Sequence, residues 1–227
     1  MCGRITLTVR PEQLIEEFGV QEVDEHFVPR YNLAPTQGAA VISDHESGKV
    51  QLFRWGLVPF WAKDLKIGAK LINARSDSVA SKPAFRKSFE GKRCLILADG
   101  FYEWKTTAAR RKQPYFIGLK DRRPFAFAGL WASWRPAEGE SVRSCSVITT
   151  DANALVSRLH DRMPVILPRE ARALWLDHST SPEVLQDLLR PYPAEGMESF
   201  AVSPAVNSPA HEGPDCLTPV QEQAELF

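Results

Sequence analysis

The sequence predicts an α+β fold built on antiparallel sheet that can curl into a barrel. Three observations carry this. Short runs of β-branched and aromatic residues recur along the chain, short Pro- and Gly-punctuated helical segments sit between some of them, and strand and helix nowhere alternate in regular βαβ units. No repeat, low-complexity segment or long linker divides the 227 residues, so a single domain spanning 1–227 is expected.

The elements follow in order. Ile5, Leu7 and Val9 alternate with Arg4, Thr6, Thr8 and Arg10, the period-two pattern of a half-buried strand. Pro11 opens a short helix carrying Leu14, Ile15 and Phe18 on one face, and Gly19 closes it. AAVIS, a turn at DHESGK, then VQLFRWG read as a hairpin. Residues 78–89 read as helical, with Val79 and Phe85 inward. RCLILADG and FYEWK are strand-like runs meeting near Gly100, TTAARRKQ is a polar loop, and PYFIGL returns. FAFAGLWASW and RSCSVITT are two further strands. Asp151 to Leu159 reads as a helix with Asp151 as its N-cap. PREARALWL and SPEVLQDLL are two more helices, each with Pro at an opening position, and the chain after about Val206 is polar and loop-like.

Composition bounds the function. A 44% hydrophobic chain with 17 Pro and 13 Gly is globular and turn-rich. No apolar run approaches the ~20 residues of a membrane helix. MCGRITLTVRPEQ lacks the charged-then-apolar layout of a secretion signal, so a soluble protein inside the cell, with no membrane partner, is expected. The cysteines are Cys2, Cys94, Cys145 and Cys216; there is no CxxC and no zinc-module spacing to a His, so no metal and no cofactor are expected. Disulfides are not expected either. Cys94 and Cys145 lie in apolar runs and read as small buried hydrophobes, which Cys2 does not. The net charge of zero hides an asymmetry. Lys49 to Arg123 holds 18 Lys and Arg against 6 Asp and Glu, whereas Pro136 to Phe227 holds 6 against 14. A basic middle attracts phosphates. On charge alone, a solvated face balanced by the acidic ends is the favoured reading.

Four constellations carry chemistry, each with a plainer reading beside it. Met1 precedes a small residue and is of the kind removed by methionine aminopeptidase, which leaves Cys2 with an α-amine and a thiol on adjacent carbons. An α-amine titrates at about 7.7–8.0, so a useful fraction is nucleophilic near neutral pH. A 1,2-aminothiol condenses with an aldehyde to an imine and then closes to a thiazolidine; the plainer reading is an arbitrary residue at a frayed terminus. In LINARSDS, Asn73 and Arg75 share a face if the segment is a strand, offering an amide and a phosphate-matching fork. A turn with Asn73 capping a following helix fits equally. Glu103, between Tyr102 and Trp104, is either a desolvated carboxyl with a raised pKa or an outward-facing residue on a strand. In LHDRMPVIL, His160 is a neutral-pH proton carrier and Arg162 a phosphate ligand, or both complement a helix C-terminus. Trp61, next to Phe60 and near Lys63, Lys66 and Lys70, suits stacking on or wedging between single-stranded bases.

Taken in order, MCGR, RYNLAP (30–35), LINAR (71–75), DGFYEW (99–104), HDRMP (160–164), SPAVNS (203–208) and the tail EGPDCLTPV (212–220) resemble the SOS-response-associated peptidase (SRAP) family, whose members shield abasic sites in DNA. The resemblance covers almost the whole chain. It implies a curled antiparallel sheet, a partly open barrel-like core with peripheral short helices. It implies Cys2 as nucleophile, Asn73 as the residue positioning it, Glu103 as the proton-transfer carboxylate and His160 as the acid that opens the deoxyribose ring. Arg4, Arg75 and Arg162 match phosphate contacts, Trp104 and Thr149 line the site, and Trp61 falls where relatives carry a wedge-like aromatic. The pair here is Phe60–Trp61 where relatives often show two Trp, and AKDLKIGAK is longer than in some relatives. The implied partner is single-stranded DNA containing abasic sites, crosslinked covalently by a monomer, with weak lyase and self-processing activity at the same site. Such a protein is expected at the nucleoid in a bacterial cytoplasm, or in a eukaryotic nucleus. Two rival readings remain: a thiol peptidase using Cys2 and His160, and a non-covalent single-stranded DNA-binding module.

Overall fold

The computed structural model describes residues 2–106 and 110–221. Along them run β1 (Ile5–Leu7), α1 (Pro11–Phe18), β2 (Glu22–Val23), β3 (Arg30–Leu33), β4 (Gly38–Ser43), β5 (Lys49–Trp55), β6 (Asn73–Arg75), α2 (Arg86–Gly91), β7 (Arg93–Ala98), β8 (Gly100–Thr106), β9 (Lys112–Leu119), β10 (Phe125–Trp134), β11 (Val142–Asp151), β12 (Arg162–Pro164), β13 (Ile166–Leu167), α3 (Arg169–Leu176), α4 (Pro182–Asp187) and β14 (Met197–Ala201). The α+β class holds: the chain is mostly sheet, with a few short helices.

One sheet has the order β14–β9–β8–β1–β3. The other runs β12–β11–β10–β7–β4–β5–β2, and β5 also pairs with β11. That extra pairing closes β11, β10, β7, β4 and β5 into a ring, where the expected barrel was partly open. The closure is a short parallel junction, with Ser144 opposite Arg54 and Cys145 opposite Trp55. Gly56 ends it: its N–H donates to the Cys145 carbonyl at 2.8 Å. Its φ is +119°, and a Cβ there would stand 2.6 Å from the Gly68 carbonyl oxygen, so only glycine fits. Beyond the junction β6 takes over along β11, with Asn73 opposite Val147 and Arg75 opposite Thr149.

Period-two alternation distributes the side chains between two cores. From β10, Phe125, Phe127 and Trp131 join Ile96, Phe53, Trp55 and Val147 in a core shared with Ile5, Phe101 and Ile117 of the five-stranded sheet. Ala126, Ala128, Leu130 and Ala132 face the other core, completed by Leu14 of α1, Trp175 of α3 and Leu185 of α4. Both faces are covered, which is why these strands read as nearly unbroken apolar runs. Arg93 is fully buried between two helix ends. It donates to the carbonyls of Phe89 (2.9 Å) and Glu90 (3.0 Å) in α2, and of Trp175 (2.7 Å) and Asp177 (2.8 Å) at the end of α3. These are the orphan carbonyls of helix C-termini, where a cation is favoured.

The hairpin β4–β5 and the strands β7 to β11 lie where the sequence placed them. Several expectations are corrected. β1 is short and buried on both sides, because it lies between β8 and β3 and Thr6 Oγ1 donates to Asp99. In α1, Leu14 is buried but Ile15 is exposed, about 100° further round the helix. Residues 78–85 are turns and the helix starts only at Arg86, because Pro83 disfavours helix at the residue before it. Val79 and Phe85 are nevertheless buried. Asp151 ends β11 opposite Arg162, and the cap belongs to Asn153, whose Oδ1 accepts from the N–H groups of Leu155 and Val156, each at 3.0 Å. Only a 3₁₀ turn, Val156–Arg158, follows. β14 was not anticipated; its five residues gain their order from pairing with β9. Residues 107–109 of the polar loop, residues 222–227 of the polar end, and Met1 lie outside the described residues. No helix of the described residues is long and apolar enough to cross a membrane.

Candidate active site around Cys2

The pairing of β1 with β8 builds one wall of the site. Ile5 faces Phe101, Thr6 faces Gly100, and the Tyr102 N–H donates to the Arg4 carbonyl at 3.0 Å. Glu103, next along β8, stands close enough for its charge to act on the Cys2 thiol. Alternation then separates the neighbours. Phe101 and Glu103 face the core that holds Cys2, while Tyr102 and Trp104 face a separate cluster with Phe116 and Val206. Glu103 is only 3% exposed, so the outward-facing alternative does not apply. Burial raises its carboxyl above the usual carboxylate range, opposed by cationic groups, His160 among them.

Cys2 is fully buried. Burial first, and the charge of Glu103 second, push its thiol far above the ordinary thiol value. The side chain is therefore a protonated thiol at neutral pH, with no preformed thiolate. β6 supplies the opposite wall. Asn73 Nδ2 donates to the Cys2 carbonyl at 2.7 Å. Its Oδ1 is buried and has no hydrogen-bond partner among the described residues.

His160 follows the 3₁₀ turn, with its side chain 30% exposed. Its Nδ1 accepts from the Arg162 N–H at 3.0 Å and lies 2.8 Å from Asp161 Oδ1. The ring is thus set between the backbone of Arg162 and the carboxylate of Asp161.

Arg75, Thr149 and Arg162 are brought together on adjacent strands β6, β11 and β12. Arg162 is buried and donates to the Thr149 carbonyl and to Asp151 Oδ1, each at 2.7 Å. Arg75 is exposed and pairs with Asp77 at 3.2 Å, and Arg162 approaches the same carboxylate at 3.8 Å. Thr149 is fully buried. Arg4 and Trp104 lie on the far side of the β1–β8 ladder. Arg4 stands 5.8 Å from the Trp104 ring centroid and donates to Asn32 Oδ1 (2.6 Å) and the Val206 carbonyl (2.7 Å). Trp104 Nε1 donates to Asn207 Oδ1 at 2.6 Å. Asn32 and Asn207 are thus structural partners that residue-level reading passed over, although both sit in motifs, RYNLAP and SPAVNS, that the sequence singles out. Trp61 and Phe60 are exposed in the turn after β5, with Lys87 Nζ 4.7 Å from the Phe60 ring and the Trp134 Nε1 donating to the Ala62 carbonyl at 2.7 Å. Trp61 belongs to that separate turn.

A closed β-ring and a second sheet set Cys2 against Asn73 and buried Glu103, with His160 acting on the charge of Glu103, and so define a protein whose candidate site is built at residue 2. Residues 1–209 match the family described as SOS response associated peptidase (SRAP), and the chain belongs to that family. It is 45% identical over 221 residues to abasic site processing protein YoqW of Bacillus subtilis, covering 96% of this chain and 99% of that one. It is 30% identical over 266 residues to abasic site processing protein HMCES of Xenopus tropicalis, covering 97% of this chain and 78% of that one. A crystal structure of a protein from Bacteroides thetaiotaomicron superposes with a TM-score of 0.86 at 29% identity, covering 97% of this chain and 100% of that one.

Proposed function

We propose that this protein processes abasic sites in DNA by bonding Cys2, freed of Met1, to the ring-opened deoxyribose of a single-stranded substrate. The observation that carries this reading is the clamp on residue 2: Asn73 holds its carbonyl while buried Glu103 faces the same core. The relatives in B. subtilis and X. tropicalis, by their names, act on abasic sites, which supports the substrate.

His160 protonates the ring oxygen of the closed sugar while the C1′ hydroxyl gives its proton to solvent, so the C1′–O4′ bond breaks and the aldehyde is exposed. The Cys2 amine adds to C1′, and Glu103 carries protons as the carbinolamine loses water to an imine. The thiol then adds to the imine carbon, its proton passing to nitrogen, and a thiazolidine results. A thiol kept protonated by burial fits this order, amine first and sulfur second. Loss of a C2′ proton from the imine leads instead to β-elimination, so weak lyase activity shares the site. Arg75 and Arg162 are the phosphate contacts, and Trp61 a base-stacking wedge. A peptidase reading would need a thiolate, which the burial of Cys2 disfavours. Self-processing that exposes Cys2 is compatible with either.

The test is a denaturing gel. The protein, with loss of Met1 verified by mass spectrometry, is incubated with single-stranded DNA carrying one abasic site, then heated in detergent. A shifted band in wild type, absent in Cys2→Ser and after acetylation of the α-amine, is expected. No band with the mature wild type would remove the covalent reading; binding seen only under native conditions would leave a non-covalent module. Cleavage of a general protein substrate that survives amine blocking would favour the peptidase.

A further inference from the structure

We infer that His211, Asp215 and Cys216 form a binding site for a zinc-class divalent cation, separate from the Cys2 site. The residues lie in the tail that follows residues 1–209 of the family match. They belong to a strap that crosses β3. Glu212 accepts from Arg30 Nε at 2.9 Å and from the Asn32 N–H at 3.1 Å, and Asn32 Nδ2 donates to the His211 carbonyl at 2.7 Å. Val202 and Pro219 form a bridge at the strap's far end. Between these anchors the 3₁₀ turn Pro214–Leu217 returns Asp215 and Cys216 to His211.

The three donor atoms all lie within 4.8 Å of one another. His211 Nε2 is 2.6 Å from Asp215 Oδ2. Zinc bonds of about 2.0–2.3 Å to N, O and S place tetrahedral donors roughly 3.3–3.6 Å apart. The nitrogen and oxygen therefore separate by less than about 1 Å, and the sulfur, within 4.8 Å of both, closes by no more than roughly 1.5 Å. Asp215 is exposed and can make that shift, while Cys216 is fully buried beneath it. An imidazole, a carboxylate and a thiol are a poor set for magnesium or calcium, which take oxygen ligands, and a good one for zinc. Binding releases the Cys216 proton to solvent and leaves Zn²⁺ bonded to the thiolate, with a fourth position for water. The ion pins the strap that holds Val206 and Asn207 against Arg4 and Trp104. Spacing rules for four-ligand zinc modules overlook this H-x₃-D-C arrangement, which is why no metal was expected from the sequence.

The plainer account is a surface His–Asp pair beside a buried thiol, and metal titration distinguishes the two. The full chain, reduced and stripped with chelator, is titrated with Co²⁺ and with Zn²⁺ in the absence of DNA. The expected result is a near-ultraviolet thiolate-to-cobalt band saturating at one equivalent in wild type and in Cys2→Ser, and absent in Cys216→Ser. His211→Gln should weaken zinc by more than the roughly 10–100-fold that loss of an outer-shell partner costs. Zinc should raise the melting temperature of wild type and not of Cys216→Ser. No band in wild type overturns the proposal, as does a band that survives Cys216→Ser and vanishes with Cys2→Ser. If Cys216→Ser fails to fold, the half-exposed His211→Gln decides, and an unchanged zinc affinity there overturns the proposal.

Discussion

Asn73→Asp isolates the tether on residue 2. The side chains are isosteric, but the donor facing the Cys2 carbonyl is replaced by an oxygen. The lost contact is 2.7 Å long and its acceptor belongs to a fully buried residue. Leaving such an acceptor unpaired costs about 1–3 kcal/mol. Residue 2 precedes β1, so the chain can relieve that cost by swinging the terminus out of the site rather than by unfolding. The docked-to-undocked ratio then falls by roughly 5- to 150-fold, which is the largest slowing that a reaction needing the docked terminus can show. The assay is the single-turnover rate of adduct formation on a denaturing gel at saturating abasic-site DNA, with non-covalent affinity measured separately by fluorescence polarisation. Expected are a slower rate, by up to that factor, an affinity little changed and a nearly unaltered melting curve. A wild-type rate in Asn73→Asp would refute the tether, and so would a rate loss wholly explained by weaker DNA binding.

Three further outcomes are expected. Glu103 has a carboxyl raised by burial, so the folded chain holds its proton more tightly than the unfolded chain; the stability this gives is fully present below the ordinary carboxylate value and is lost as pH rises through the raised one. Glu103→Gln should therefore melt higher than wild type at pH 8, with the difference vanishing near pH 4, while adduct formation slows; a difference independent of pH would show that the charge is not the cause. Arg93→Met removes four hydrogen bonds from a charged donor, worth about 6–12 kcal/mol gross before the several kcal/mol of cation desolvation is offset. A net loss of about 3–5 kcal/mol is expected in thermal and urea unfolding, and a change under about 1 kcal/mol would mean the helix carbonyls find other partners. Arg75→Ala should weaken single-stranded DNA binding and reduce the slope of log affinity against log salt by about 0.7; an unaltered slope would exclude a phosphate contact at that residue.

The sheets were legible wherever a strand announces itself by its own composition. FAFAGLWASW and RCLILA are apolar on both faces because both faces are covered, and β4 and β5 flank a turn of polar residues. What stayed hidden depends on partners distant in sequence. MESFA becomes β14 only because β9 offers an edge, and HDRMP becomes β12 only because Asp151 continues β11 to meet Arg162. Ring closure rests on two register pairs between segments about ninety residues apart, and no local pattern encodes it. For the site, local rules left Asn73 and Glu103 undecided between two orientations each. Their motifs located them, while their geometry came from the β1–β8 and β6–β11 registers. Cys2 was read as an exposed terminus and is instead part of a core, a placement set by Ile5 and Phe101 pairing beside it.

That placement has a chemical consequence. An aminothiol open to solvent would be capped by any small carbonyl compound it met, since ring closure asks nothing of the aldehyde beyond reactivity. Packed among Ile5, Phe101 and Val147, Cys2 is withheld from such encounters. On the proposed reading, reaction there requires the cover over residue 2 to part, which the binding energy of a DNA strand can drive and a stray small aldehyde cannot, so the fold would act as a protecting group that the substrate itself removes.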